Sequence, residues 1–238
     1  GGGIQMTTKL CLALGAAAAL ASPLSAQDAQ FRQIVESANA NAPTPAGDMV
    51  KASLLETLQA IARDKGQCVP TGVAVHGIES ATAVRAVVLS VQSGQLRNAW
   101  TVYGRGEGCE GAPQLRFILL GLTDGGLRVA AINEGESLAN LSLMQDASSL
   151  AALSAFQLVR AAEPQCAGDG MQMGPTRILE RSADLGPNYH GVYFSGSWKE
   201  AWTFTVCGKS AEVPVEFTPD GQSGASFRVV GTEARLLD

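Results

Sequence analysis

The residues of this 238-residue chain that could do chemistry are two histidines, four regularly spaced cysteines and a scatter of carboxylates. Nucleophilic catalysis needs a nucleophile, a base and a group that orients the base. The base would have to be His76 or His190. Each lies in a stretch that reads as a loop, HGIES (His76–Ser80) and NYHG (Asn188–Gly191). No G-x-S-x-G motif accompanies them, so neither is assigned a catalytic role. Paired carboxylates could hydrolyse a glycosidic bond. Glu107, Glu110, Glu134, Glu136 and Glu200 are available, but they fall in apparent turns or at strand edges, where a solvated charge is the default. GRGEG (Gly104–Gly108) follows a strand-like run but opens no helix, so phosphate cradling is unsupported. DGG (Asp124–Gly126) and DGQSG (Asp220–Gly224) lack the ladder of acidic oxygens that a calcium loop needs and read as hairpin turns. The acidic stretch NEGES (Asn133–Ser137) is equally consistent with a solvated loop.

The cysteines carry more. Cys11 lies in an apolar leader, which leaves Cys68, Cys109, Cys166 and Cys207. No two are at C-x-x-C distance and the histidines are isolated, so neither zinc nor any other metal or cofactor is expected. An even count in an exported chain reads as disulfides, and four cysteines allow three pairings. Cys68 to Cys109 and Cys166 to Cys207 both span 41 residues. That equality favours these two pairs, each closing one half of the chain. A loop of this length stabilises the fold by about 4 kcal/mol through lost unfolded-state entropy.

Export itself is read from the N-terminus. GGGIQ (1–5) reads as a tag or translation remnant, and 6–26 as a signal peptide. Lys9 supplies the positive start, Leu10–Leu20 the apolar run, and ASPLSA a cleavage site, with a cut after Ala26 preferred and Ala19-Leu20-Ala21, which fits the small-x-small rule better, as the alternative. The apolar run is far short of the ~20 residues needed to cross a bilayer. No later run approaches that length, so no transmembrane span is expected in the mature chain, and the location implied is periplasmic or extracellular. Net charge is −5 with scattered basic residues, which gives a nucleic-acid partner no electrostatic support.

The elements that must position these residues follow from an internal repeat. SGQLRNAWT (Ser93–Thr101) and SGSWKEAWT (Ser195–Thr203) are near copies. GQCVPTGVAV (Gly66–Val75) aligns with PQCAGDGMQM (Pro164–Met173). In each half the second cysteine precedes two apolar runs around an Asp-Gly turn. The residue types shared by the copies are structural ones (Gln, Cys, Gly, Trp, Thr) and not acid-base groups, which argues against an enzyme. Ser-Gly is read as a hairpin turn, joining Ala83–Val91 to Leu96–Tyr103 in the first half and Tyr189–Phe194 to Trp198–Val206 in the second. Alternation puts Asn98 and Trp100 on one face, with Tyr103 opposite, and puts Trp198, Glu200 and Trp202 together. The Trp face is taken as the core face, with Asn98 or Glu200 near its solvent end. Trp198, Glu200, Asn98 and Tyr103 are the candidate ligand or partner contacts, with Trp198 the best placed for an exposed aromatic platform.

Helices are expected over Asp48–Gly66, with Asp48 as cap and a stripe of Met49, Leu54, Leu55, Leu58 and Ile61, and over Met144–Ala162, with Leu150, Leu153, Phe156 and Val159 on its apolar stripe. A weaker one is expected over Gln27–Ala40. The fold class is therefore α+β and β-rich: two tandem, related antiparallel β units, each closed by one disulfide. An N-terminal helical segment (27–66) precedes the first unit (67–140), and a connecting helix (141–163) leads to the second (164–238). The function expected is a non-catalytic binding or assembly module of the cell envelope, with an unknown protein, peptide or glycan partner. The alternatives are a hydrolase of envelope polymers with carboxylates at the repeat interface, and a self-assembling structural subunit.

Overall fold

The computed structural model describes residues 23–237. The remnant expected over 1–5 and all but the last four residues of the leader expected over 6–26 lie outside them. Helix α1 (Pro23–Asn41) comes first, and α2 (Gly47–Asp64) opens the first unit. Strands β1 (Gly72–Ser80), β2 (Leu96–Glu107), β3 (Gln114–Leu122) and β4 (Leu127–Glu134) form an antiparallel sheet in chain order, with α3 (Arg85–Gln92) between β1 and β2. The second unit repeats the scheme. Helix α4 (Leu141–Ala162) precedes β5 (Gln172–Arg181), β6 (Trp198–Val206), β7 (Lys209–Pro219) and β8 (Ala225–Val229), again in chain order, with a short β9 (Arg235–Leu236) beside β7. The α+β class and the two units are as expected. The helix that joins them is also the second unit's counterpart of α2.

Both disulfides form the expected pairs, Cys68–Cys109 and Cys166–Cys207. Each ties the segment after the unit's helix to the turn between its second and third strands. They differ in access. Cys68 is exposed, whereas Cys166 is buried within the core of the second unit. Thiol–disulfide exchange requires an approach path for the attacking thiolate. Mild reductant without denaturant is therefore expected to open Cys68–Cys109 first, read by differential alkylation and peptide mass. Opening of Cys166–Cys207 first would contradict the burial argument.

Two cores lie between helix and sheet. Val50, Leu54 and Leu58 of α2 pack on Trp100, Val102, Phe117 and Leu119. Leu54 and Leu58 are core as expected, but Val50 and Ala62 complete the stripe in place of Met49 and Ile61; Met49 is exposed, and no side-chain bond caps the helix at its start. In the second unit the correction is larger. Leu150 and Leu153 stand 53% and 47% exposed, and α4 buries Ala147, Ala151 and Ala155 in their place, together with the expected Val159 and, in part, Phe156. The sheet face beneath carries Trp198, Trp202, Phe204 and Phe217. Rings of that size fill the layer, and only alanines let the helix approach closely.

The Ser-Gly hairpins do not exist. Val84, Val87, Val88 and Val91, spaced as one helical face, pack with Ala99 and Val35, and their run forms α3 and its N-cap in place of a strand. Packing overrides the β preference of valine here. In the second unit, His190 (φ 48°) and Gly191 (φ 97°) turn the backbone, leaving only a bridge between Tyr189 and Val192. The true partners of β2 are β1 and β3, and the DGG and DGQSG turns do join β3 to β4 and β7 to β8. In those turns Asp124 Oδ1 accepts from the Gly126 amide and Asp220 Oδ1 from the Gln222 and Gly224 amides. The outer face of the second sheet is a ladder of ion pairs. There Arg177, and then Arg235, hold the Glu212 carboxyl below the usual carboxylate range.

Candidate functional site: the cleft between the repeats

The seam between the units is polar and buried. Glu200, on the Trp face of β6, is 0% exposed. Its carboxylate accepts five hydrogen bonds. Oε1 takes the Leu138 amide (2.8 Å), the Ala139 amide (3.1 Å) and Trp198 Nε1 (2.9 Å). Oε2 takes Ser137 Oγ (2.7 Å) and Trp202 Nε1 (2.8 Å). Arg116, from β3 of the other unit, grips the same segment by its carbonyls. It donates to Ser137 O (2.9 Å) and Ala139 O (2.6 Å), and its Nε donates to Asn133 Oδ1 (2.8 Å). Burial lowers the Arg116 pKa, while Tyr103 and Glu200 act to raise it. One strand of chain, Ser137–Ala139, is thus held by an anion on its amide side and a cation on its carbonyl side.

Asn98 occupies the equivalent place in the first unit and is also 0% exposed. Its Nδ2 donates to Ala42 O (3.0 Å) and Asn39 Oδ1 (3.1 Å), and its Oδ1 accepts from the Ala99 amide (2.8 Å) and from Thr82 Oγ1. Both copies use this position to pin the segment just ahead of their helix, Asn98 by donating to Ala42 O and Glu200 by accepting from the Leu138 and Ala139 amides. The expectation that Asn98 or Glu200 sits near a solvent end is corrected: their hydrogen-bond demand is met inside the fold. Trp198 is 3% exposed and stacks on Phe217 (5.0 Å between centroids), so it forms no exposed platform.

NEGES is no solvated loop. Asn133 Nδ2 donates to Thr176 Oγ1 of β5 (2.9 Å), Gly135 bridges Thr176, and Ser137 is buried. A Cβ on Gly135 would lie 2.2 Å from Thr176 O, so only glycine fits this crossing.

Where the two units meet, a cleft of ≈ 370 Å³ opens. Depressions of similar volume lie between α1 and α3 (≈ 380 Å³) and beside Cys68–Cys109 (≈ 350 Å³), but each is walled by a single unit. The inter-repeat cleft draws Thr101, Tyr103 and Ile118 from the first sheet, and Ile178, Arg181 and Tyr193 from the second unit. Tyr103 is the one member of the expected contact set that lines it. Both tyrosines are backed: His76 stacks on Tyr103 (5.4 Å, 15°), and Tyr193 leans on Trp198 (5.4 Å). Glu79 and Glu136 also reach the cleft, and Asn188 Nδ2 donates to Glu79 Oε2 (3.0 Å) across the two units. Burial raises the Tyr193 pKa, with Glu79 reinforcing it and Arg181 opposing it.

The histidines have other roles. His76 supports Tyr103. His190 Nδ1 faces Asn39 Nδ2 at 3.3 Å. Asn39 Oδ1 already accepts from Ser80 and Asn98, so its nitrogen is the donor and His190 Nδ1 the acceptor, with His190 Nε2 3.6 Å from Glu36 Oε1. Of the remaining carboxylates, Glu110 and Glu134 line the depression beside the first disulfide. Among the described residues no group of three or more His, Cys, Asp or Glu could hold a metal ion. No described helix is long and apolar enough to cross a membrane.

Fold and site define a class: a tandem pair of units, each a helix on an antiparallel sheet of four or five strands closed by a disulfide, with a cleft at their junction. No protein-family model matches the chain, and no curated protein or solved structure resembles it at a significant level.

Proposed function

We propose that the protein is an exported, non-catalytic binding or assembly module of the cell envelope whose ligand occupies the inter-repeat cleft. The observation that carries this reading is the cleft itself, built from both units and walled by two buttressed tyrosines. Its volume is at the small end of the range of about 300–1,000 Å³ for ligand pockets. The two disulfides support an oxidising compartment. The residue types common to the repeats, such as Trp100 and Trp202, serve packing and not proton transfer.

The test is native mass spectrometry after incubation with a periplasmic extract. The wild type is expected to retain a small-molecule adduct that Thr101→Trp, which fills the cleft, loses. Asn188→Trp, at the exposed rim, guards against misfolding of the first variant. An adduct retained equally by both variants, or no adduct at all, would overturn the reading. A second reading, hydrolysis of an envelope polymer, is favoured by one observation: Glu79 and Glu136 line the same cleft. Release of product by the wild type, absent in both Glu79→Gln and Glu136→Gln, would establish it in place of the first.

A further inference from the structure

Two irregularities in the sheets shape the cleft. In β1, His76 pairs with Tyr103 and Glu79 with Thr101, so three steps on β1 face two on β2. The extra residue is a bulge, made with Gly77 at φ 64°. Val73 and Val75 face the core beneath α2, and strict alternation would send residue 79 the same way. The bulge turns Ile78 to the core and Glu79 to the cleft. In β5, Ile178 pairs with Glu200, Glu180 with Lys199 and Arg181 with Trp198, so one residue is again inserted. Without it Arg181 would share the outer face with Lys199; with it, Arg181 takes the face of Trp198 and reaches the cleft.

Two one-residue insertions in two edge strands thus deliver opposite charges to one cavity. The charges do not neutralise each other: no ion pair joins Glu79 and Arg181 within 4.0 Å, and among the described residues Arg181 makes no side-chain hydrogen bond. Arg116, the other cation at the wall, is committed to the Ser137–Ala139 segment. Beside Arg181, Glu79 and a second carboxylate, Glu136, the wall carries apolar Ile118 and Ile178 and the two tyrosine rings. A neutral saccharide would leave Arg181 and the carboxylates unanswered, and a purely anionic or cationic ligand would meet like charge. A ligand with both charges and an apolar body answers all three surfaces.

We propose that the cleft binds a zwitterion of the amino-acid or short-peptide class, with its ammonium toward Glu79, its carboxylate toward Arg181 and its side chain between Tyr103 and Tyr193. This rests on the reading of the cleft as a ligand site. The cleft volume limits the occupant to one or two residues.

The test is isothermal titration of the oxidised chain with free amino acids, dipeptides, their N-acetylated and C-amidated forms, and a neutral disaccharide. Free amino acids against dipeptides separates the two sources. N-acetylation is expected to weaken binding roughly tenfold or more, as is C-amidation, the scale of one charge-assisted hydrogen bond. Glu79→Gln should reproduce the first loss and be indifferent to acetylation. Arg181→Gln should reproduce the second and be indifferent to amidation. Both side chains are exposed, so unchanged melting temperatures are expected and confirm that the variants fold. Equal binding of blocked and free forms would overturn the proposal. So would binding of the disaccharide alone, or an extract adduct that is not a zwitterion; if Thr101→Trp abolishes either, the cleft reading stands without it. No binding by any probe together with no adduct removes both.

Discussion

Glu200→Ala is expected to lower the melting temperature of the oxidised protein by about 10 °C. Five donors converge on this carboxylate, and all five lose their acceptor at once. Each buried donor left unpaired costs about 1–3 kcal/mol, and breaking a buried charge arrangement costs about 3–5 kcal/mol. A net loss of about 4 kcal/mol is a conservative reading, because the site can relax and admit water. A chain of this size loses about 2–4 °C per kcal/mol. Glu200→Gln should fall between. Its carbonyl oxygen can replace one carboxylate oxygen, but its amide nitrogen then faces either Ser137 Oγ and Trp202 Nε1 or the other three donors. The serine hydroxyl can rotate to accept, whereas an indole N–H cannot. Calorimetry of the three proteins should give wild type, Gln and Ala in descending order. A glutamine variant as stable as the wild type would show that charge at this position contributes nothing.

The second large effect is expected at Arg116. Arg116→Met keeps much of the apolar bulk but removes the donors held by Asn133, Ser137 and Ala139. It also leaves the Glu200 charge without its buried counterpart. A cost of about 3 kcal/mol is expected, with a local signature: amide exchange at Leu138 and Ala139 should accelerate roughly a hundredfold as the segment detaches. Arg116→Lys should not rescue, since one ammonium cannot reach three acceptors arranged around a planar fork. Arg116 and Glu200 share one segment, so the double variant should be less destabilised than the sum, by about 1 kcal/mol or more. Strict additivity, or unchanged protection of those two amides, would mean that the two charges do not act through Ser137–Ala139.

These results would explain why the repeat copies differ where they do. Trp100 and Trp202 fill the same place in each core, and the cysteines close each unit alike. Asn98 and Glu200 hold equivalent segments with opposite polarity. The first unit offers a carbonyl, Ala42 O, to be gripped; the second offers two amides. A carboxylate suits amides, and an amide side chain suits a carbonyl. This divergence belongs to the joint between units, while Tyr103, Glu79 and Arg181 belong to the cavity beside it.

The sequence by itself determined what depends on short-range pattern and on counting. Equal cysteine spacing identified both disulfides, the paired nonapeptides marked the second strand of each unit, and Asp-Gly turns placed two hairpins. It placed α1, α2 and α4 to within a few residues but only part of their buried faces: Leu54, Leu58 and Val159 are core as expected, whereas Met49, Leu150 and Leu153 are exposed. Leu150 and Leu153 looked like core, and only the crowded tryptophan face of β6 explains why alanines are buried instead. The valines of α3 satisfied strand and helix patterns alike, and α1 decided between them. Glu200 looked solvated because its five partners include three residues more than 60 positions away in the chain. The cleft was invisible for a sharper reason. A bulge shifts register by one residue and reverses which face every later side chain meets. Periodicity read along a strand cannot register that shift; only pairing against the neighbouring strand sets it, and it alone placed Glu79 and Arg181 in the same cavity.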